Sequence, residues 1–385
     1  LTRLVYLSPV PWASFAQRPH KFAEWFHSRT GGQVLWIDPY PTRLPGMVDF
    51  KRRNAPSEGK YTNLHAWIDV IKPTAIPIEP VPMLSSINRL MWAPIFSQVK
   101  HFVEGHDTLI AAGKPSLLAS LLISEHPDIP SLYDAMDEFP AFYSGLSKAV
   151  MKRRERVIAL KSSHMWVSST RLHEQWSKLR SNLSFVPNGL EPALYTNLRK
   201  IRNAEDRKIF GYIGTIAKWF DWEWVVKLAN IRPNDIIRLI GPKFTPAPGS
   251  LPANIELLPP CVHEEAINAM VNFDVGIIPF KNNPLTASVD PIKFYEYRAM
   301  ALPVISTDFG EMSLRRGSQG TFISRSLEDI DQLAREALLH RDSPEFAQSF
   351  IMENGWPRRF DSAKLPMKSY DSAVIASSPA EDSEE

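Results

Sequence analysis

The sequence predicts an α/β protein of two doubly wound, Rossmann-like parallel-sheet domains in succession. Three observations predict it. Apolar runs of strand length alternate with longer segments of helical pattern. The alternation stops at a polar stretch and then restarts. The chain has 385 residues, beyond the roughly 250–300 at which a single hydrophobic core stops growing.

In the first half, Arg3–Ser8 (RLVYLS) reads as a strand, followed by a loop with Pro9 and Pro11 and a helix over Pro19–Ser28. Gln33–Asp38 (QVLWID) is a second strand. Thr108–Ala112, Ser131–Asp134 and Met165–Ser169 are further short strands, with helices such as Ser116–Ser124 and Gly145–Leu160 between them. The Pro-rich stretches Tyr40–Pro45 and Pro73–Met83 interrupt the pattern and are expected as loops on one rim. After Val186-Pro187-Asn188-Gly189 comes a polar, charged stretch, Glu191–Arg207, the expected linker. The alternation then resumes. Strands are expected at Lys208–Ile213, Asp235–Ile240, Asn254–Leu258, Asp274–Pro279, Pro303–Thr307 and Thr321–Ser324. Helices are expected at Trp222–Asn230, Glu264–Asn272, Pro291–Ala301 and Leu327–His340. The acidic end, nearly free of apolar residues, is expected to be disordered. Two such sheets would take a ligand in a cleft between them, beyond the carboxyl ends of their strands.

Bulk properties narrow the classes. A formal charge of +2 gives no electrostatic case for nucleic acid. A single cysteine, Cys261, excludes an intramolecular disulfide and a cysteine-based zinc site. No apolar run reaches the roughly 18–20 residues that span a bilayer, and the first residues are too quickly polar for a signal peptide. A cytoplasmic protein is expected.

The chemistry concentrates in Asn283–Asp308 (NPLTASVDPIKFYEYRAMALPVISTD). A strand runs into a polar loop, and the loop feeds a helix at the turn Asp290-Pro291-Ile292. Free N–H groups and the helix dipole make such a start an anion site. Lys293 lies in the first turn, and Glu296, three residues on, shares its face. A carboxylate there could accept both hydroxyls of a ribose. The alternative is a plain amphipathic helix with Asp290 as its N-cap and Lys293 and Glu296 solvated. A second loop, Gly211–Asp221, follows the first strand of this half. Gly214 permits a sharp turn or close backbone approach, and Thr215 and Lys218 could contact phosphate. The alternative there is a strand-to-helix turn capped by Asp221.

At this point the sequence resembles a GT-B glycosyltransferase of the glycosyltransferase family 4 type. The matching pieces are VPNGLEPALY (186–195), FGYIGTIAKWFDWEWV (210–225), FDVGIIPF (273–280), PIKFYEYRAMALPVISTD (291–308) and NGWPRRF (354–360). The resemblance implies a GT-B fold, with Gly214, Thr215, Lys218 and Lys293 at a donor diphosphate and Glu296 on the ribose. Ser288 stands where the family has the first glutamate of its pair, so Ser288 or Asp290 would take that place near the donor sugar. The implied organisation is an acceptor domain over 1–190, the linker 191–207, and a donor domain over 208–350. A segment 351–372 returns towards the first domain, and 373–385 form the tail.

In the first domain, Asp137 follows a strand end and is the candidate general base for an acceptor hydroxyl. A similar strand-then-Asp arrangement occurs in GT-B enzymes of the xanthan glucuronosyltransferase type. Asp134 and Glu138 compete with it, and the alternative is that Asp137 only caps the next segment. Arg18 and His20, at a helix start, are candidates for a phosphate of donor or acceptor, against a structural role for His20. Trp12 in the same loop either stacks on a sugar or covers the core. The basic helix Lys148–Lys161 suits peripheral contact with anionic headgroups, against a solvated outer helix, and would suit a lipid-linked acceptor.

The expected reaction is hexosyl transfer from a nucleoside diphosphate sugar to an acceptor hydroxyl in bacterial exopolysaccharide or other cell-surface glycan synthesis. The nucleotide sugar is a co-substrate, UDP favoured over GDP, and no bound cofactor is expected. No convincing Asp-x-Asp metal motif occurs, so Lys218, Lys293 and the helix N–H groups are expected to neutralise the leaving diphosphate without a metal. Two other readings stay open: a sugar-nucleotide 2-epimerase of the same fold, and a silent nucleotide-sugar-binding scaffold. A nicotinamide enzyme is disfavoured, since neither half opens with G-x-G-x-x-G.

Overall fold

The computed structural model describes residues 2–43, 65–81, 85–195 and 207–367. The chain divides into two compact units. Within the described residues, the first holds everything up to Val167, Leu172–Val186 and the chain from Phe360; the second holds Ser168–Arg171 and Pro187–Arg359. Most of the expected linker and the whole acidic tail lie outside the described residues.

The first unit is a seven-stranded, all-parallel sheet in the order β3-β2-β1-β4-β5-β6-β7. Its strands are β1 (Thr2–Leu7), β2 (Gln33–Ile37), β3 (Ile68–Ile71), β4 (Asp107–Ala112), β5 (Ser131–Ala135), β6 (His164–Val167) and β7 (Leu183–Phe185). A sheet covered on both faces needs continuous apolar strands. Leu4–Leu7, Val34–Ile37 and Leu109–Ala112 supply them, all buried. The helix Arg18–Thr30 buries Phe22, Ala23, Trp25 and Phe26 on one face. The C-terminal segment belongs to this packing: Phe360 stacks on Trp166 at 5.8 Å, and the Trp25 indole N–H donates to Asp361 at 2.9 Å. Sequence reasoning assigned nothing to β3, β7 or the helices Ser85–Met91 and Ala93–Val103. Strand order reverses between β1 and β4, which is the crevice position of such sheets. A shallow recess opens there, lined by Ser8, Asp38, Tyr40, Lys114 and Ser116 among others.

The second unit is a six-stranded parallel sheet, β10-β9-β8-β11-β12-β13. Its strands are β8 (Ile209–Ile213), β9 (Ile236–Ile240), β10 (Ile255–Leu258), β11 (Val275–Ile278), β12 (Val304–Thr307) and β13 (Thr321–Ser324). Each falls on an expected run, because each is a short segment rich in β-branched and other apolar residues, bounded by turn residues. The core joins Phe210, Tyr212, Ile237, Leu239, Ile277 and Val304 to the helix residues Trp224, Leu228 and Tyr297. Here the order reverses between β8 and β11. The loops leaving these strands are tied together. Gly214 N–H donates to the Ile240 carbonyl at 2.9 Å, Ile216 bridges Lys243, and Phe220 bridges Phe280.

Candidate functional site

Two segments meet beyond the carboxyl ends of β8 and β11: the loop Gly214–Asp221 and the start of the helix Ile292–Ala299. Gly214 holds φ +146°, and a Cβ there would lie 3.2 Å from both Cε and Nζ of Lys293. The structure therefore brings the two lysine-bearing segments together at a residue whose backbone conformation favours glycine and beside which the lysine side chain would have to shift to admit a Cβ. Gly241 comes close as well: a Cβ on it would lie 2.2 Å from the Gly214 carbonyl oxygen.

Lys293 is partly buried. Its ammonium lies 5.2 Å from the ring centre of Tyr212 and 5.0 Å from that of Phe280. Among the described residues it makes no hydrogen bond and no ion pair. Burial pushes its pKa down to about 8, partly countered by the Glu296 carboxylate. Two aromatic faces hold a cation weakly, so this group is available to an anion. Lys218, four residues after Gly214, is exposed. Thr215 is partly buried, and its carbonyl accepts from the Tyr212 hydroxyl at 2.8 Å. Asp221 caps the helix Trp222–Ile231, accepting from the Trp224 N–H at 3.1 Å.

The helix start differs from the capped alternative. Pro291 is the N-cap, Ile292 the first helical residue, and no side chain caps the helix. Asp290 is buried and turned elsewhere. Its carboxylate accepts from the Asn188 N–H (2.8 Å) and the Tyr295 hydroxyl (2.8 Å), and pairs with Arg315 at 2.6 Å. Arg315 in turn lies 4.0 Å from the centre of the Phe294 ring. Asp290 therefore fixes the helix start from behind, and the first-turn N–H groups stay uncapped. Ser288 is fully buried, and its hydroxyl has no hydrogen-bond partner among the described residues.

Glu296 lies one turn beyond Lys293, and its Oε1 is 3.2 Å from His263 Nε2. It is not simply solvated. His263 opens the helix His263–Val271 after β10, and sequence reasoning missed it; a lone histidine at a helix start carries no signal of its contact. Tyr195 also feels the Glu296 carboxylate.

In the first unit the candidates separate. Arg18, 2% exposed, donates to both oxygens of Asp134 (2.7–3.2 Å) and to the Val186 carbonyl at 2.8 Å. It is a buried structural ion pair. His20 is buried too; its Nδ1 lies 3.2 Å from the Gln17 nitrogen and its Nε2 3.1 Å from the Trp12 carbonyl oxygen, and burial lowers its pKa. Both ring nitrogens are used locally. Trp12 packs against His20 (5.1 Å) and Trp36 (5.0 Å). Asp137 is different. It lies two residues beyond β5, partly buried, and its side chain makes no hydrogen bond among the described residues. Burial pushes its pKa up to about 7, with Arg18 lowering it and Asp134 raising it. It caps nothing: the next turn, Phe139–Phe142, has Glu138 at its N-cap position and no side-chain cap. Asp134 is removed from competition by Arg18.

Among the described residues no group of three or more His, Cys, Asp or Glu could hold a metal ion. Among the same residues no helix is long and apolar enough to cross a membrane.

Two consecutive Rossmann-like units with these strand orders define the GT-B fold class. No family model matches the chain. It is similar to TuaH of Bacillus subtilis (strain 168), named as a teichuronic acid biosynthesis glycosyltransferase. The two are 28% identical over 204 residues, 47% of this chain and 51% of that protein. The match thus spans about half the length of the curated relative. Among solved structures, the sucrose-phosphate synthase of Thermosynechococcus elongatus superposes with a TM-score of 0.64 at 13% identity, covering 98% of this chain and 97% of that one. An E. coli protein of trehalose-6-phosphate, bound with UDP-2-fluoro glucose, gives 0.61 at 11%, covering 94% and 98%. The lipopolysaccharide outer core galactosyltransferase WaaB gives 0.58 at 11%, covering 97% and 99%. The GT-B fold and the resemblance to glycosyltransferases expected from the sequence are both met.

Proposed function

We propose that this protein is a hexosyltransferase that moves a sugar from a nucleoside diphosphate donor to a glycan hydroxyl in cell-surface glycan synthesis. The observation that carries this reading is Lys293: a partly buried ammonium with no anionic hydrogen-bond partner among the described residues, beside Gly214 and an uncapped helix start. That arrangement suits a diphosphate, whose charge grows as the sugar–phosphate bond breaks. Glu296 would accept from the ribose hydroxyls, and the exposed Lys218 would reach the outer phosphate. Asp137 would take the proton from the attacking hydroxyl; a carboxyl near pH 7 is suited to that transfer. The donor is a co-substrate, with UDP favoured over GDP, and the cations replace a metal. The acceptor is a glycan or lipid-linked glycan, reached at the cytoplasmic side of the membrane.

The test is thermal-shift or calorimetric screening against UDP, GDP and their common sugars, with wild type and Lys293→Ala. Stabilisation by one diphosphate nucleotide, lost in the variant, supports the donor site and identifies the base. Absence of binding to any of them by the wild type sinks it. Donor binding without transfer to any acceptor, and without epimerisation, would favour a silent binding protein, a reading that Ser288 in place of a glutamate supports. Turnover that persists after exhaustive chelation is expected.

A further inference from the structure

We propose that the outer face of the helix Gly145–Lys161 in the first unit docks onto anionic phospholipid headgroups. The residues from 148 to 161 carry six cations, Lys148, Lys152, Arg153, Arg154, Arg156 and Lys161, against one acid, Glu155. The structure shows where each points. Glu155 faces inward, buried, accepting from the Tyr133 hydroxyl at 2.9 Å. Arg154 turns towards the buried Glu79 at 3.8 Å, and Lys161 donates to the Ser124 hydroxyl at 3.0 Å. Lys148, Lys152, Arg153 and Arg156 are exposed, and none forms an ion pair among the described residues. The outer face is therefore cationic with no acid on it.

Lys148, Lys152 and Arg156 follow one another at i, i+4 and i+8, so like charges stack along one stripe. Such pairs destabilise a helix, and an anionic surface would remove that repulsion. Bulky apolar groups lie beside the stripe: Leu146, 54% exposed, and Leu160, 49%, sit seven residues either side of Arg153 on the adjacent line of the helix, and Phe142, 50% exposed, lies in the turn before it. This mixture separates the possible partners. A phosphate backbone gains from the cations and nothing from three apolar side chains. The boundary between headgroups and acyl chains takes both kinds. The surface is argued from charge and exposure alone; that the lipid also carries the glycan acceptor rests on the transferase reading above.

The test is co-sedimentation of the full chain with phosphatidylcholine vesicles, with and without phosphatidylglycerol, at low and raised salt. Binding is expected only to the anionic vesicles and is expected to weaken with salt. Lys148→Gln, Lys152→Gln and Arg156→Gln should each cost about fivefold in vesicle affinity, and the triple variant that combines them should lose most of the binding. Lys227→Gln, on an exposed helix position of the second unit, should leave it unchanged. Leu146→Ser with Leu160→Ser should weaken binding without altering the salt dependence. Equal binding to both vesicle types, an unaltered triple variant with native circular dichroism, or binding to RNA but not vesicles would each overturn the proposal. Because no donor or acceptor is present, failure here leaves the transferase reading standing, and failure of donor binding leaves this one standing.

Discussion

Lys293 Nζ lies close against Gly214, where an added Cβ would meet it at 3.2 Å, tighter than ordinary van der Waals contact. The backbone at φ +146° is also one that L side chains rarely adopt. Gly214→Ala should therefore act on the lysine as well as on the loop. Donor affinity is expected to fall at least tenfold by calorimetry, approaching the loss expected for Lys293→Ala. A Gly214→Ala protein that folds normally and binds donor as wild type would remove this residue from the site.

Asp290 makes a second prediction because it works from behind the site. Its carboxylate is fully buried and answers three donors: Asn188, Tyr295 and Arg315. Removing one partner of a buried pair leaves the other uncompensated, which typically costs about 3–5 kcal/mol. Asp290→Ala should lower the urea midpoint accordingly and loosen the start of the Ile292–Ala299 helix. If stability is unchanged, the Arg315 guanidinium has found another partner and the network is not what positions Lys293.

The contact between His263 and Glu296, 3.2 Å, predicts a split in kinetic behaviour. His263 holds the carboxylate assigned to the ribose without reaching the reacting bond. His263→Ala should raise the donor KM several-fold with little change in kcat. It should also narrow the preference for a ribose over a 2′-deoxyribose donor. Restoration of KM by His263→Gln would mark a hydrogen-bonding role. A fall in kcat alone would contradict it.

The strands were readable because a parallel strand covered on both faces is a continuous apolar run, as in Leu4–Leu7 and Val275–Ile278. β7, three residues of which none is buried, carries no such signal. The site residues divide by the range of their contacts. Gly214 and Lys293 were identifiable from their local loops. Arg18 was not, because its partner Asp134 lies 116 positions away and turns a phosphate candidate into a structural pair. The same pair separates two nearby carboxylates. Asp134, within β5, points into the sheet packing and is neutralised, whereas Asp137 lies past the strand end with its side chain unengaged. Sequence spacing alone could not distinguish them.

The pH profile should combine the two perturbed groups. Asp137 must be ionised to act as base, and burial pushes its pKa up to about 7, so kcat/KM should rise as pH increases through that value. Lys293 must be protonated to hold the diphosphate, and burial pushes its pKa down to about 8, so kcat/KM should fall above it. A narrow bell is expected between these limbs. Lys293→Arg should flatten the alkaline limb, since a guanidinium keeps its charge throughout. For stability, Asp137 has the opposite sign to a paired carboxylate. Its folded pKa is raised above the ordinary carboxylate value, so its favourable contribution is complete at low pH and is lost as pH climbs through about 7. Asp137→Asn should therefore match wild type in unfolding free energy near pH 4 and exceed it at pH 8, by an amount on the order of 1–3 kcal/mol. It should lose transfer activity while keeping donor affinity. A variant that loses stability at pH 8 along with activity would show that the charged carboxylate holds the fold, and would move the base to another residue.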